Sequence, residues 1–146
     1  MKPLDEALNE ALDAHGTGSG TVSVDADGVT HEVEVDAVGP LGVRLRRLRV
    51  RRGTDRDLGE AAQVLPSRLR PLPEKLVATE VDPRLGGATL RTRPEQMRKR
   101  EFFQLDLRPR EAELHRSRVT EGGRASVPWT MTRDGLREVI EDLSED

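Results

Sequence analysis

Arginine side chains dominate residues 43–52, which run Val-Arg-Leu-Arg-Arg-Leu-Arg-Val-Arg-Arg. Guanidinium groups form paired hydrogen bonds with phosphates and carboxylates, so anion binding is the chemistry that this segment could perform. The alternation of apolar and basic residues is typical of a β-strand, but the doublet Arg46-Arg47 interrupts it. A β-bulge at the doublet would return the apolar residues to one face. Four arginines would then project together from the other face: Arg44, Arg46, Arg49 and Arg51.

Two interpretations of this arginine ladder are open. In the first, it binds an external anion on a partner protein or a nucleic acid. In the second, the arginines pair with Glu32, Glu34 and Asp36, which share one face of a neighbouring predicted strand. We favour the second interpretation, because cross-strand pairs of opposite charge are ordinary stabilisers of sheets, worth about 0.2–1 kcal/mol each.

A second basic cluster surrounds a predicted hairpin or connecting loop, and it comprises Arg91, Arg93, Arg98, Lys99 and Arg100. It is either a solvated loop or an extension of the first ladder, and only proximity in the fold decides between them. Proteins that bind single-stranded nucleic acids usually add aromatic stacking platforms, whereas this chain has three aromatic residues in all. Because no helix-turn-helix, zinc-finger or RNP-like signature is present either, we rank nucleic acid below a protein partner.

Motifs for catalysis, metal binding and nucleotide binding are absent from the sequence. The histidines, His15, His31 and His115, lie far apart without metal-ligand spacing, and no serine lies in a Gly-x-Ser-x-Gly motif. The segment 25–28 resembles the start of a calcium loop but lacks the later ligands, which favours a hairpin turn. The glycine-rich segment 16–20 follows a helix and precedes a strand, the reverse of a phosphate-binding loop. We expect a non-enzymatic protein without a metal or cofactor.

Two aromatic residues are candidates for an apolar interface, Phe102 and Trp129. Adjacent residues of a strand face opposite sides, and Phe103 shares a face with Leu105 and Leu107. Phe102 therefore faces outward or lies under a helix, and Trp129 follows Pro128 near a strand end. An outward aromatic side chain favours a homodimer or partner surface, and a second covering layer explains it equally well.

The net charge of −3 conceals an uneven distribution. Residues 1–36 carry a net charge of −8, residues 37–119 of +9 and residues 120–146 of −4. The basic middle is either neutralised by the acidic ends or faces an acidic partner. The absence of cysteine excludes disulfides and is in keeping with a reducing compartment. No signal-peptide core is present, and no apolar run reaches the roughly 20 residues of a membrane helix, so we expect a cytoplasmic protein without membrane contact.

Hydrophobic periodicity places these residues on three helices and a sheet of about seven strands. The helices are predicted over residues 3–14, 54–65 and 132–143. Thr54 is predicted to cap the second helix, Pro66 to end it and Thr132 to cap the third. Candidate strands span residues 21–25, 29–36, 43–52, 76–81, 88–93, 102–107, 112–119 and 125–131.

This order predicts a single α+β domain over residues 1–146 with a mostly antiparallel sheet. Within it, residues 1–20 form an N-terminal helix and a glycine-rich linker with the composition of a mobile segment. In chain length and element order the sequence resembles the small chaperones of bacterial type III secretion. That resemblance implies a dimeric domain that wraps an extended segment of another protein, although the arginine-rich middle departs from the acidic character of that family.

Together these features predict a non-enzymatic protein-interaction domain, in the form of a dimeric adaptor or chaperone-like module. The alternative is polyanion or nucleic-acid binding through the strand of residues 44–52. Salt separates the two, because polyanion binding weakens steeply as the salt concentration rises.

Overall fold

The computed structural model describes residues 3–82, 84–97 and 99–145. These residues form three α-helices and nine β-strands. The helices are α1 (Leu4–His15), α2 (Leu58–Arg68) and α3 (Arg133–Ser144). The strands are β1 (Gly20–Ala26), β2 (Val29–Val38), β3 (Gly42–Arg51), β4 (Leu76–Asp82), β5 (Gly87–Thr92), β6 (Glu101–Arg108), β7 (Glu111–Thr120), β8 (Gly123–Ser126) and β9 (Trp129–Thr132). A 3-10 turn spans Pro94–Gln96.

All nine strands belong to one sheet, with the main order β1-β2-β3-β7-β6-β5-β4. Every pairing is antiparallel, so the predicted α+β fold with a mostly antiparallel sheet is confirmed. The hairpins β1–β2, β2–β3, β4–β5 and β6–β7 join strands that are neighbours in sequence. The pairing of β3 with β7 brings the arginine-rich strand against a strand more than sixty residues away in the chain, at Arg47–His115 among other pairs.

The segment predicted as one strand over residues 125–131 forms two strands. β8 pairs with β7, whereas β9 pairs with the first half of β3. The break falls at Pro128, which has no N–H group with which to continue a hydrogen-bonded ladder. The chain therefore leaves β7 after the bond from Val127 N to Arg116 O (3.0 Å) and moves to β3. β9 occupies the place beside Gly42 to Leu45, because β7 contacts β3 only from Arg47 onward.

The bounds of α2 also differ from the prediction. Its cap is Asp57, whose carboxylate accepts a hydrogen bond from Glu60 N (3.0 Å), and not Thr54. Pro66 lies inside the helix, which continues to Arg68. In the last turn a proline removes a single backbone donor, and the buried Leu65 and Leu69 hold that turn against the core. The predicted cap of α3 is confirmed, since Thr132 Oγ1 accepts from Gly135 N (2.9 Å).

All three helices lie on one face of the sheet and enclose the hydrophobic core. Leu8 and Leu12 of α1 belong to the same buried cluster as the apolar stripe of α3. α1 packs on β1 and α3, so the amphipathic face of the N-terminal helix is docked. We call the opposite side of the sheet, whose side chains point away from the helices, the open face. Among the described residues no helix packs against it.

Candidate interaction surface

The predicted bulge in the arginine strand is present and sets which arginines reach the open face. Val35 is paired with Leu45 and Glu34 with Arg47, so Arg46 is the extra residue of β3. Asp36 is the matching extra residue of β2, between Val35 and Ala37. The apolar residues consequently share the helix-covered face, where all four are buried: Val43, Leu45, Leu48 and Val50.

The arginines of β3 are largely neutralised by acids of β2 and β7. Arg46 Nε lies 2.8 Å from Asp36 Oδ1, and Arg51 Nη1 lies 3.1 Å from Glu32 Oε1. Arg47 Nε contacts Glu113 Oε1 at 3.2 Å. The structure thus brings together Arg46, Arg49 and Arg51 as expected, adds Arg47 to the ladder, and pairs each with carboxylates of the same chain.

Arg49 has the densest environment in the ladder. Its guanidinium lies 3.1 Å from Glu113, 3.0 Å from Glu111 and 3.8 Å from Glu32. The hydrogen bond to Glu113 is the main reason that the pKa of Arg49 is raised above its ordinary value. By contrast, Arg44 is exposed and has no acid partner among the described residues. The ladder is therefore a cross-strand ionic network in which, among the described residues, Arg44 at one end lacks an acid partner.

Two further cations lie on the open face: Arg91 of β5, a member of the second basic cluster, and Arg124 of β8, which is not. Arg91 Nε donates to Gln104 Oε1 at 2.9 Å, and Arg124 Nη1 donates to the same oxygen at 3.4 Å. Neither arginine has a carboxylate partner among the described residues. Their guanidinium carbons lie 5.8 Å and 5.2 Å from the centre of the Phe102 ring. We call these two residues the Arg91–Arg124 pair.

The arginine strand and the Arg91–Arg124 pair are separate features of the open face. One cross-strand row joins them, and its members are Glu34, Arg47, His115, Gln104 and Arg91. Three strand spacings, about 14 Å, separate β3 from β5 along that row.

Of the other members of the predicted second basic cluster, Arg93 lies 3.9 Å from Glu95, whereas Lys99 and Arg100 are exposed in the turn before β6. Arg98 lies outside the described residues.

Neither of the predicted interface aromatics offers an apolar surface. Phe102 does lie on the open face, but it is only 5 % exposed because the Arg91–Arg124 pair covers its ring. Trp129 is 7 % exposed on the helix-covered face, where its ring meets Phe103 edge-on at 5.3 Å. An outward apolar patch formed by Phe102 and Trp129 is therefore absent from this structure.

Sequence reasoning missed a buried ion-pair cluster at the edge of the core. Glu74, 5 % exposed, accepts two hydrogen bonds from Arg116, at 3.3 and 3.1 Å, and one from Thr92 Oγ1 at 2.9 Å. The Arg116 guanidinium also lies 4.4 Å from the centre of the Phe103 ring and 3.4 Å from Glu101. Glu101 pairs in turn with Arg118, whose hydrogen bond is the main cause of a lowered pKa at Glu101. Nothing in the sequence around Glu74 indicates its burial.

A buried histidine lies on the helix-covered face of the sheet, beside a cleft of 580 Å³. His31 is 2 % exposed, its Nδ1 lies 3.2 Å from Val24 O and its Nε2 lies 3.0 Å from Ser144 Oγ. A histidine–serine contact is also found at nucleophilic sites, but here the serine hydroxyl donates to Ile140 O at 2.6 Å. The arrangement fixes the end of α3 to β2 and gives the serine a structural role.

His31 is expected to make folding stability depend on pH. Burial lowers the pKa of His31 below its ordinary value. At a pH between the folded-state and unfolded-state pKa values, the folded state therefore binds fewer protons than the unfolded state. The free energy of unfolding is therefore not reduced by His31 above the unfolded-state pKa of about 6.5, and it decreases as the pH falls below that value. We expect urea unfolding to show that the free energy of unfolding falls less between about pH 7.5 and about pH 5.5 in His31→Gln than in the wild type. The same substitution at His15 is the control, and equal pH profiles for wild type and His31→Gln would contradict this account.

Asp142 of α3 is expected to cost stability at neutral pH. Burial, followed by the nearby charge of Glu145, raises the pKa of Asp142 to about 6. A raised pKa stabilises the fold at low pH, and that stability is lost as the pH rises through the folded pKa. Asp142→Asn should therefore stabilise the protein at about pH 7.5 by about 1 kcal/mol, a value discounted because the group is only partly buried. Thermal unfolding measures it, and Glu141→Gln, which removes an ion pair with Arg137 (3.0 Å), should give no gain.

Several classes of site lack support in the described parts of the chain. Across residues 3–82, 84–97 and 99–145, no group of three or more histidine or acidic side chains is arranged to hold a metal ion. Within the same ranges, none of the helices combines the length and apolar character that a membrane crossing requires. No protein-family model, curated protein or solved structure matches the chain.

Proposed function

We propose that this protein is a non-enzymatic binding domain that contacts a partner protein through the open face of its sheet. The observation that carries the proposal is the division of the sheet into two sides. The three helices cover one side, and no described element covers the other. An exposed sheet face lined by polar and charged side chains can present a broad, rigid surface to a partner.

The charge distribution supports an electrostatic contribution to binding. The three helices carry nine acidic and three basic side chains, so the layer behind the sheet is acidic. The open face carries the ionic network of β3 and, at its β5–β8 end, the Arg91–Arg124 pair. Partners of negative charge are therefore steered toward the open face and away from the helices.

Polyanion binding through the arginine strand has less support. Four of its arginines have carboxylate partners within 3.2 Å, which leaves little net positive charge along β3: Arg46, Arg47, Arg49 and Arg51. The Phe102 ring is covered, so it is not accessible for stacking with bases.

A homodimer would need a surface other than Phe102 and Trp129. The solution mass, measured by light scattering at low and high salt, tests whether the protein is a dimer.

The experiment that tests the proposed function is a selection of phage-displayed random peptides against the immobilised protein. Ser126 is exposed on the open face beside the Arg91–Arg124 pair, and Ser67 is exposed on α2. Ser126→Trp places a bulky group on the open face, and Ser67→Trp makes the same change on the helix layer. Selected peptides should bind the wild type and Ser67→Trp alike and lose at least about tenfold in affinity for Ser126→Trp. No enriched peptide, or peptides affected only by Ser67→Trp, would contradict the proposal.

A further inference from the structure

We infer that the Arg91–Arg124 pair, held over Phe102 by Gln104, is a binding site for side-chain carboxylates of an acidic peptide segment in the partner protein. This inference rests on the proposed function and names the chemistry of the partner. The ladder of β3 was the expected location for such a site. Among the described residues, however, the two adjacent guanidiniums that share a neutral acceptor and have no carboxylate partner lie on β5 and β8.

The two guanidinium groups are close enough to act on one ligand. Each donates to the same oxygen of Gln104, so their donor nitrogens lie no more than about 6 Å apart. A carboxylate or a pair of adjacent carboxylates can span this separation with charge-assisted hydrogen bonds. Arg124 lies on β8, yet its guanidinium reaches Gln104 and the Phe102 ring of β6.

Gln104 holds the pair without neutralising it. Its Nε2 donates to both oxygens of Asp106, at 2.9 and 3.2 Å, which turns the carbonyl oxygen toward the arginines. Asp106 is itself held by His115 Nε2 at 3.2 Å and Thr89 Oγ1 at 3.3 Å. A neutral amide oxygen accepts hydrogen bonds but brings no compensating charge. Because a guanidinium has five N–H donors, each arginine keeps donors for an incoming anion.

The surroundings favour a short anionic peptide over a nucleic acid. A bound polynucleotide needs a continuous line of cations, and the neighbouring ladder is occupied by Glu32, Glu111 and Glu113. It also gains from exposed rings, whereas Phe102 lies beneath the two guanidiniums. A local site of two cations matches one or two carboxylates of a peptide.

The test uses a fluorescein-labelled peptide of alternating glutamate and serine residues, with a peptide of alternating glutamine and serine as the neutral control. Fluorescence anisotropy should show binding of the acidic peptide and none of the neutral one. The double variant Arg91→Gln/Arg124→Gln should weaken binding at least about tenfold. Arg44→Gln removes an unpaired cation from the same face at the far end of β3, and should change the affinity by less than about twofold.

A second variant separates the geometry of the site from its charge and from folding defects. Arg91→Lys/Arg124→Lys keeps both charges but loses the forked donors, so it should bind more weakly than the wild type and more tightly than the glutamine variant. Equal losses of peptide affinity in Arg91→Gln/Arg124→Gln and in Arg44→Gln would show non-specific electrostatic attraction and overturn the inference. A single-stranded oligonucleotide of the same charge that binds more tightly than the peptide, and loses its affinity in the glutamine variant, would overturn the assignment to a peptide.

The inference and the proposed function can fail separately. Suppose that Ser126→Trp blocks the phage-selected peptides, but the glutamate–serine peptide binds the arginine variants as tightly as the wild type. The open face would then bind a partner by other contacts, and the inference would be wrong. If Ser126→Trp does not change the affinity of any peptide, the proposed function is wrong. A solution mass of twice the monomer, reduced by Arg91→Gln/Arg124→Gln, would assign the acidic segment to a second copy and overturn the assignment to a separate partner.

Discussion

Replacing Arg116 by methionine is expected to lower the free energy of unfolding by about 3–5 kcal/mol. The change leaves the buried Glu74 carboxylate with the Thr92 hydroxyl as its one remaining hydrogen-bond partner among the described side chains. A charge that has lost its solvation and its partner is far more costly than a missing exposed ion pair. The substitution also removes the cation from above the Phe103 ring.

Urea unfolding followed by the fluorescence of Trp129 measures this effect. Arg118→Met is the matched control, because Arg118 lies on the same strand and pairs with Glu101, but its side chain is 52 % exposed. The control should cost less than about 1 kcal/mol. The double variant Glu74→Met/Arg116→Met should recover most of the loss, since it removes both charges together. An Arg116→Met variant no less stable than Arg118→Met would show that the cluster is not effectively buried.

Phe103→Ala is expected to lower the free energy of unfolding by about 3–5 kcal/mol. Phe103 is fully buried between the Trp129 ring, 5.3 Å away, and the Arg116 guanidinium, so its removal leaves a cavity in the core. Phe102→Ala, one residue away, should cost only about 1–2 kcal/mol, because the side chains that cover Phe102 are arginines in contact with solvent.

The comparison of these two adjacent phenylalanines tests the assignment of the two faces. Equal losses for both variants in thermal or urea unfolding would mean that the open face is packed as tightly as the core. Because the residues differ only in the direction in which they point, strand propensity and local sequence cancel in the difference. The result therefore depends on what covers each ring.

Local patterns predicted much of this fold. Alternation along residues 43–52 located the bulge and the buried face of β3, because a strand that buries one face must return its apolar residues to that face. The i, i+3, i+4 spacing together with Thr132 located α3. Strand ends, in contrast, depend on partners: the division of β8 from β9 follows from the separation of β7 and β3, which no local pattern encodes.

The candidate site was predictable only in part. Arg91 was identified by its charge, and the pairing of β3 arginines with Glu32 and Asp36 followed from adjacent strands. Their pairing with Glu111 and Glu113 required the contact between β3 and β7, which joins distant parts of the chain. Arg124 and Gln104 gave no signal, because a lone arginine after a turn and a glutamine within a strand are ordinary until the fold brings them to one oxygen.

The proposed site for an acidic segment of a partner lies at the β5–β8 end of the open face. The most direct measurement is a titration of the isotope-labelled protein with the glutamate–serine peptide, followed by amide chemical shifts in nuclear magnetic resonance spectra. We expect the shifts to cluster at Arg91, Gln104, His115 and Arg124, and to leave α1 and α3 unchanged. Shifts confined to the helices, or spread evenly over every arginine of the chain, would contradict the claim.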